Sequence, residues 1–247
     1  MRKQIPNILT LSNLFSGCIA VVMAFQANFK AVVIWVAVAA LFDFLDGMAA
    51  RLLKAYSPLG KELDSLADVI SFGVAPAAAV FILLRDYFLL PGYLEPLHVW
   101  IPYLAFLIPV FSAYRLAKFN IDDRQATSFR GLPAPANGLF WVSYSYGIEK
   151  VTSLSSPLAM YDEYFSYLTL ILIVLMSLLM VSEIPMFSLK TKNLSFKGNE
   201  RQIILVILTI LLVALLGISG VAWGIVAYII LSVLGRGGNT KQTTSLR

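Results

Sequence analysis

Asp43-Phe44-Leu45-Asp46-Gly47-Met48-Ala49-Ala50-Arg51, followed after eight intervening residues by Gly60-Lys61-Glu62-Leu63-Asp64-Ser65-Leu66-Ala67-Asp68, is the stretch on which the reading of this chain turns. Apolar runs flank it on both sides, so its acidic residues stand at the edges of two hydrophobic segments. On a helix, Asp43 and Asp46 lie about 60° apart around the axis, and Asp64 and Asp68 about 40° apart. Each pair therefore projects from one helix face. Pro58 and Gly60 interrupt the chain between the pairs, so two helices fold back as neighbours and four carboxylates converge.

The surrounding composition fixes the class. Of 247 residues, 59% are apolar and only 13% are charged, and the mean hydropathy is +0.79. Soluble domains carry roughly 25% charged residues. A soluble α/β enzyme, a disordered tail protein and a nucleic-acid module are excluded, and the expected fold class is an all-α polytopic membrane protein. The net charge of +5 reads as Lys and Arg gathered in cytoplasmic loops against the bilayer, with no nucleic acid as partner. The single cysteine, Cys18, allows no intrachain disulfide and no zinc cluster. Arg2, Lys3 and the apolar run to Cys18 bear a faint likeness to a lipoprotein signal. Pro6, Asn7 and Asn13 interrupt that run and Phe15 precedes the cysteine by three, so it reads as a retained first span.

Spans of about 20 residues are expected at 8–28, 31–54, 63–84, 97–118, 133–149, 163–182, 202–217 and 219–234. The fifth is short and polar, and the last two are separated by one residue, Ile218, as a tight hairpin or one broken span. With the N-terminus inside, eight spans put 16 Lys and Arg on one side and leave only Lys30, Arg85 and Lys150 on the other. That asymmetry favours about eight transmembrane helices with both termini cytoplasmic. The organisation expected is a transmembrane core over 1–182, a basic cytoplasmic connector over 183–201, a C-terminal helical hairpin over 202–234 and a disordered tail over 235–247.

Charges at membrane depth are expensive and by default functional. Arg51 alone cannot neutralise four carboxylates, and Lys54 and Lys61 read as facing the headgroups. Oxygen ligands without nearby His or Cys suit hard cations such as Mg²⁺ or Mn²⁺, and two such ions are the usual clamp on a pyrophosphate. Gly47 and Ala50 leave room for a polar ligand against the helix, and Arg51 offers a forked phosphate contact. Helix capping or pairing with loop lysines would account for one aspartate, but not for four at paired helical spacing. The lone histidine, His98, falls on the opposite side and reads as interfacial.

The pattern Asp-x2-Asp-Gly-x2-Ala-Arg-x8-Gly-x3-Asp-x3-Asp resembles the signature of the CDP-alcohol phosphotransferases at all eight of its fixed positions. The resemblance implies a six-helix core, with the C-terminal pair of spans as an extension. It implies Asp43, Asp46, Asp64 and Asp68 as ligands of two divalent cations, and Asp68 also as the base for the attacking hydroxyl. Gly47, Arg51 and Ser57, with Pro6 and Asn7, fall at positions that hold the CDP part of the donor. The stretches Ile5–Gly17, Tyr114–Asn120 and Phe129–Pro135 are similar to the serine-using bacterial and archaeal branch of that family. That branch implies transfer of the phosphatidyl group of CDP-diacylglycerol to L-serine, giving phosphatidylserine and CMP, at the cytoplasmic face of the inner membrane and in a homodimer. Arg115 and Arg130 are the candidates for the acceptor, since an arginine binds a carboxylate by two parallel bonds. Glycerol 3-phosphate or inositol phosphate as acceptor, and a cation transporter using the carboxylates as its path, are the alternatives.

Overall fold

A computed structural model describes residues 4–88, 96–121, 129–153, 162–187 and 199–234. The tail 235–247 and most of the 183–201 connector lie outside these residues. The described chain is helical: α1 (Ile5–Phe25), α2 (Phe29–Leu52), α3 (Pro58–Asp68), a π-helical turn (Val69–Val74), α4 (Ala75–Asp86), α5 (Leu107–Ile121), α6 (Ala134–Ser153), α7 (Asp162–Val181), α8 (Glu200–Leu216) and α9 (Gly220–Leu234). A two-residue antiparallel pair, Phe129–Arg130 (β1) with Pro185–Met186 (β2), joins the entry of α6 to the exit of α7.

These helices are turned inside out relative to a soluble protein. α1 buries Pro6, Thr10, Asn13, Gly17, Ala20 and Ala24, a small and polar stripe at three- and four-residue steps. Its exposed positions include Ile8, Leu11, Phe15 and Val22. Such a face is stable only where lipid replaces water on the outside and close packing joins helices on the inside. Six stretches are long and apolar enough to cross a membrane: Ile5–Phe25, Phe29–Leu52, Pro58–Asp86, Ile101–Ile121, Tyr164–Val181 and Glu200–Leu234.

Two features separate this count from the eight spans expected. α6 has the length, 20 residues, but buries Asn137, Ser143 and Ser145, which lowers its apolarity. Glu200–Leu234 is one apolar stretch in which the chain turns back. Gly217 adopts φ +64°, and a Cβ at Gly224 would lie 2.8 Å from the Thr209 side chain, so α9 runs alongside α8.

α3, the π-turn and α4 form one continuous helix through the centre of the bundle. It begins at Pro58 because Ser57 caps it, its Oγ accepting from the Gly60 N–H at 3.0 Å, and because proline is tolerated in a first turn. The interruption expected at Pro58 and Gly60 is thus the first turn of the helix itself. The turn between α2 and α3 passes through Lys54 at φ +50°.

Candidate active site

The π-turn directly follows Asp68, and π-turns inserted in α-helices cluster at functional sites. Three glycines allow neighbours to close on it. A Cβ at Gly17 of α1 would fall 2.8 Å from Ser71 Cα, one at Gly138 of α6 would fall 2.9 Å from Phe72 Cα, and one at Gly73 would fall 3.1 Å from Pro109 Cα of α5. Ser71 Oγ donates to the Asn13 carbonyl at 3.1 Å, tying the same turn to α1. The backbone that carries Asp68 is therefore held from three sides.

Asp43 from α2 and Asp64 and Asp68 from α3 bring one carboxylate oxygen each within 4.8 Å of one another. Asp46 stands one turn along α2 and takes a 2.5 Å hydrogen bond from Thr10 Oγ1 of α1. Asp68 accepts from Asn13 Nδ2 at 3.2 Å, and Asp64 Oδ1 is buried without a hydrogen-bond partner. Among the described residues, no Lys or Arg pairs with any of the four. Three oxygens this close would repel one another strongly without a cation between them. Their hard oxygen chemistry, their proximity and the orphaned Asp64 oxygen all fit a divalent metal centre.

A cavity of about 500 Å³ opens beside the carboxylates, between α1, α2 and the start of α3. Asp46 and Asp64 line it, together with Gly47, Ala50, Ser57, Pro6 and Asn7. Gly60 permits this convergence, since a Cβ there would meet Asn7 Oδ1 at 3.1 Å. Arg51 is exposed on the adjacent turn, with Nη1 3.8 Å from where a Gly47 Cβ would stand. Lys61 also lines the cavity but donates to the Asn120 carbonyl of α5 at 2.8 Å, so it is not a free headgroup contact.

The two arginines proposed for the acceptor part company. Arg115 of α5 is 7% exposed, and its Nε has no hydrogen-bond partner. Arg130 is more exposed and is bound by Glu183, Nη1 to Oε2 at 2.7 Å. The other Glu183 oxygen accepts from Lys118 Nζ at 2.6 Å. These bonds, from Lys118 first and then Arg130, hold the Glu183 carboxyl down at about 2. Neither arginine lines the cavity. His98 is exposed, beyond the far end of α4 from the cluster.

Thr10 and Asn13 are site residues that the reading of the motif passed over. Their signal was present, since polar side chains three apart on the small-residue face of α1 have no reason to sit in an apolar helix.

Fold and site together define a polytopic membrane protein with a metal-competent acidic pocket at one end of its bundle. The chain belongs to the CDP-alcohol phosphatidyltransferase family, whose model matches residues 3–234, and it is a transferase by that membership. It is 33% identical over 148 residues to the CDP-diacylglycerol–serine O-phosphatidyltransferase of Bacillus subtilis (strain 168), covering 58% of this chain and 76% of that protein. It is 32% identical over 199 residues to the protein of the same name from Mycobacterium leprae (strain TN), covering 76% and 59%. Over 133 residues it is 33% identical to the archaetidylserine synthase of Methanothermobacter thermautotrophicus (strain Delta H), covering 53% of each chain. It thus spans only a little over half the length of the last two.

Proposed function

We propose that the chain transfers the phosphatidyl group of CDP-diacylglycerol to the hydroxyl of L-serine, releasing CMP and forming phosphatidylserine. The observation that carries this reading is the set of carboxylates from α2 and α3, brought together beside a cavity lined by Gly47, Ser57, Pro6 and Asn7 of the residues expected to hold the CDP group. The names of the relatives support serine as the acceptor.

Asp43, Asp46, Asp64 and Asp68 would hold two divalent cations, Mg²⁺ or Mn²⁺, which when bound neutralise charge on the diphosphate and on departing CMP. The chain's own groups do the rest. Gly47 and Ala50 keep the wall of α2 low, Ser57 fixes the start of α3, and Arg51 lies within reach of a phosphate at the rim. Asp68 orients the serine hydroxyl and takes its proton as the serine oxygen bonds to the lipid-side phosphorus. The bond from that phosphorus to the bridging oxygen breaks, and CMP leaves with the electron pair. Asn13 holds the Asp68 carboxylate for that approach. Arg115 receives the serine carboxylate, because a buried guanidinium without an internal partner needs an anion. Arg130, committed to Glu183, contributes by holding the entry of α6.

The same reading places both termini and the site on the cytoplasmic side of the inner membrane, in a homodimer, with 1–182 as the catalytic core. The buried acidic residues among those described, Asp46 and Asp68, lie at one end of the bundle and not along a path across it, which disfavours a cation transporter.

The experiment is CMP release by purified protein with CDP-diacylglycerol and Mg²⁺ or Mn²⁺, offered serine, glycerol 3-phosphate or inositol phosphate separately. Release with serine alone is the expected result. Release with a phosphorylated alcohol alone would overturn the acceptor and keep the site.

A further inference from the structure

We infer that the side-chain oxygen of Asn13 receives the ammonium group of the acceptor, so that α1 selects an amino alcohol over a phosphorylated one. The inference rests on the serine reading above. It gives the amide that bonds Asp68 a second use, on a helix the eight-position motif does not reach.

Asn13 is fully buried, and the two ends of its amide are in different circumstances. Nδ2 donates to Asp68 Oδ1 at 3.2 Å, and an ionised carboxylate only accepts, so the amide can be turned one way only. Oδ1 is left on the other side of the amide and has no hydrogen-bond partner among the described residues. A buried acceptor without a donor is costly, and this one cannot swing away to find another. The Asn13 carbonyl accepts from Ser71 Oγ at 3.1 Å, and one turn on, a Cβ at Gly17 would fall 2.8 Å from Ser71 Cα. Serine supplies the missing donor. It carries its hydroxyl and its ammonium on adjacent carbons, a spacing comparable with that between the two ends of an amide. A hydroxyl at Asp68 therefore brings the ammonium alongside Asn13 Oδ1, where the bond is charge-assisted.

The carboxylate then falls to the opposite wall. Ser71, which meets α1, and Gly73, which meets α5, are two residues apart and so face roughly opposite sides of their helix. α5 runs antiparallel to that helix: Asn120 Nδ2 donates to Ser65 Oγ at 2.9 Å, and a Cβ at Gly73 would stand 3.4 Å from Ser112 Cβ. Between these two contacts Arg115, three residues past Ser112, comes level with the stretch from Asp68 to Gly73. Asp68, Asn13 and Arg115 thus take the hydroxyl, the ammonium and the carboxylate of one acceptor.

The test uses 3-hydroxypropionate, which is serine without its ammonium group. An alternative acceptor competes whether or not it is turned over. Its inhibition constant against serine, in CMP release by the full chain, is therefore compared with the serine KM. In the parent this ratio is expected to be at least about 20, from the loss of a bond to a charged group. In Asn13→Ala the ratio should fall about tenfold, and kcat should fall as well because Asp68 loses its partner. An Asn13 that only held Asp68 would lower kcat and leave the ratio where it was, and that result overturns the inference. So does 3-hydroxypropionate competing as well as serine in the parent. Should Asn13→Ala not fold, Asn13→Leu, of nearly the same shape, carries the same comparison: a lowered ratio supports the inference and an unchanged one overturns it. A parent that releases no CMP in response to serine would instead overturn the serine reading beneath it.

Discussion

The central helix from Pro58 to Asp86 and the C-terminal hairpin from Glu200 to Leu234 are opposites. The hairpin is the more apolar, with a peak hydropathy of 3.0 against 2.1, yet only 11% of its most apolar stretch is buried against 78% for the central helix. In water that ordering would be reversed. In a bilayer, apolarity reports contact with lipid, and the interior is left to small and polar residues that let backbones approach. The central helix accordingly carries glycine contacts, buried serine and two of the carboxylates, whereas α8 exposes Val206, Ile207 and Ile210. Hydropathy therefore finds the spans, and polar residues on apolar helices find the core.

The sharpest way to break this contrast is at the chemistry. Asp68→Asn should lower kcat by at least about 100-fold while CDP-diacylglycerol still binds, since the amide cannot take the hydroxyl proton. Ile210→Ala on the hairpin should change kcat by no more than about twofold. Parallel measurement of CMP release and donor binding checks both, and turnover by Asp68→Asn near the parent rate would remove Asp68 as the base.

Packing gives the next largest difference. Gly138→Ala drives a methyl into the Phe72 backbone, and neither the π-turn nor α6 can give way cheaply. We expect a loss of about 1–3 kcal/mol, as for other overpacked cores, read as a lower Tm in detergent. Gly224→Ala meets only the Thr209 side chain and should cost less. Equal losses would mean that the Thr209 side chain yields no more readily than the Phe72 backbone. Smaller again is Asn13→Ala, which removes the one side-chain hydrogen bond to Asp68 among the described residues. A fall of about tenfold in kcat is expected, from the loss of a bond to a charged group.

What the sequence made legible follows the same division. The carboxylates, their two helices and the pocket-lining Gly47, Ala50 and Ser57 could be read because spacing along a helix fixes direction. The π-turn could not, because Val69–Val74 reads as ordinary apolar helix and the glycines that let α1 and α6 close on it, Gly17 and Gly138, lie on those other segments. Arg115 and Arg130 looked alike as loop-edge arginines. Only tertiary structure separates them, since Glu183, which claims Arg130, lies 53 residues away along the chain.

Glu183 carries the smallest effect and tests whether the ends of the helices matter as their middles do. Its carboxylate joins Lys118 of α5 to Arg130 at the entry of α6, but it is exposed and therefore screened by salt. Its carboxyl is held at about 2, below its ordinary 4.5, so the stabilisation is complete above pH 4.5 and is lost as pH falls through 2. Glu183→Gln should lower Tm slightly at neutral pH, by about 1–2 °C, with the deficit shrinking in high salt and closing as the parent is acidified below 4.5. Arg130, released, should leave the serine KM unchanged, because its bond to Glu183 positions α6 and not the acceptor. A serine KM that falls in Glu183→Gln would instead mean that freeing Arg130 adds a second guanidinium to the acceptor site.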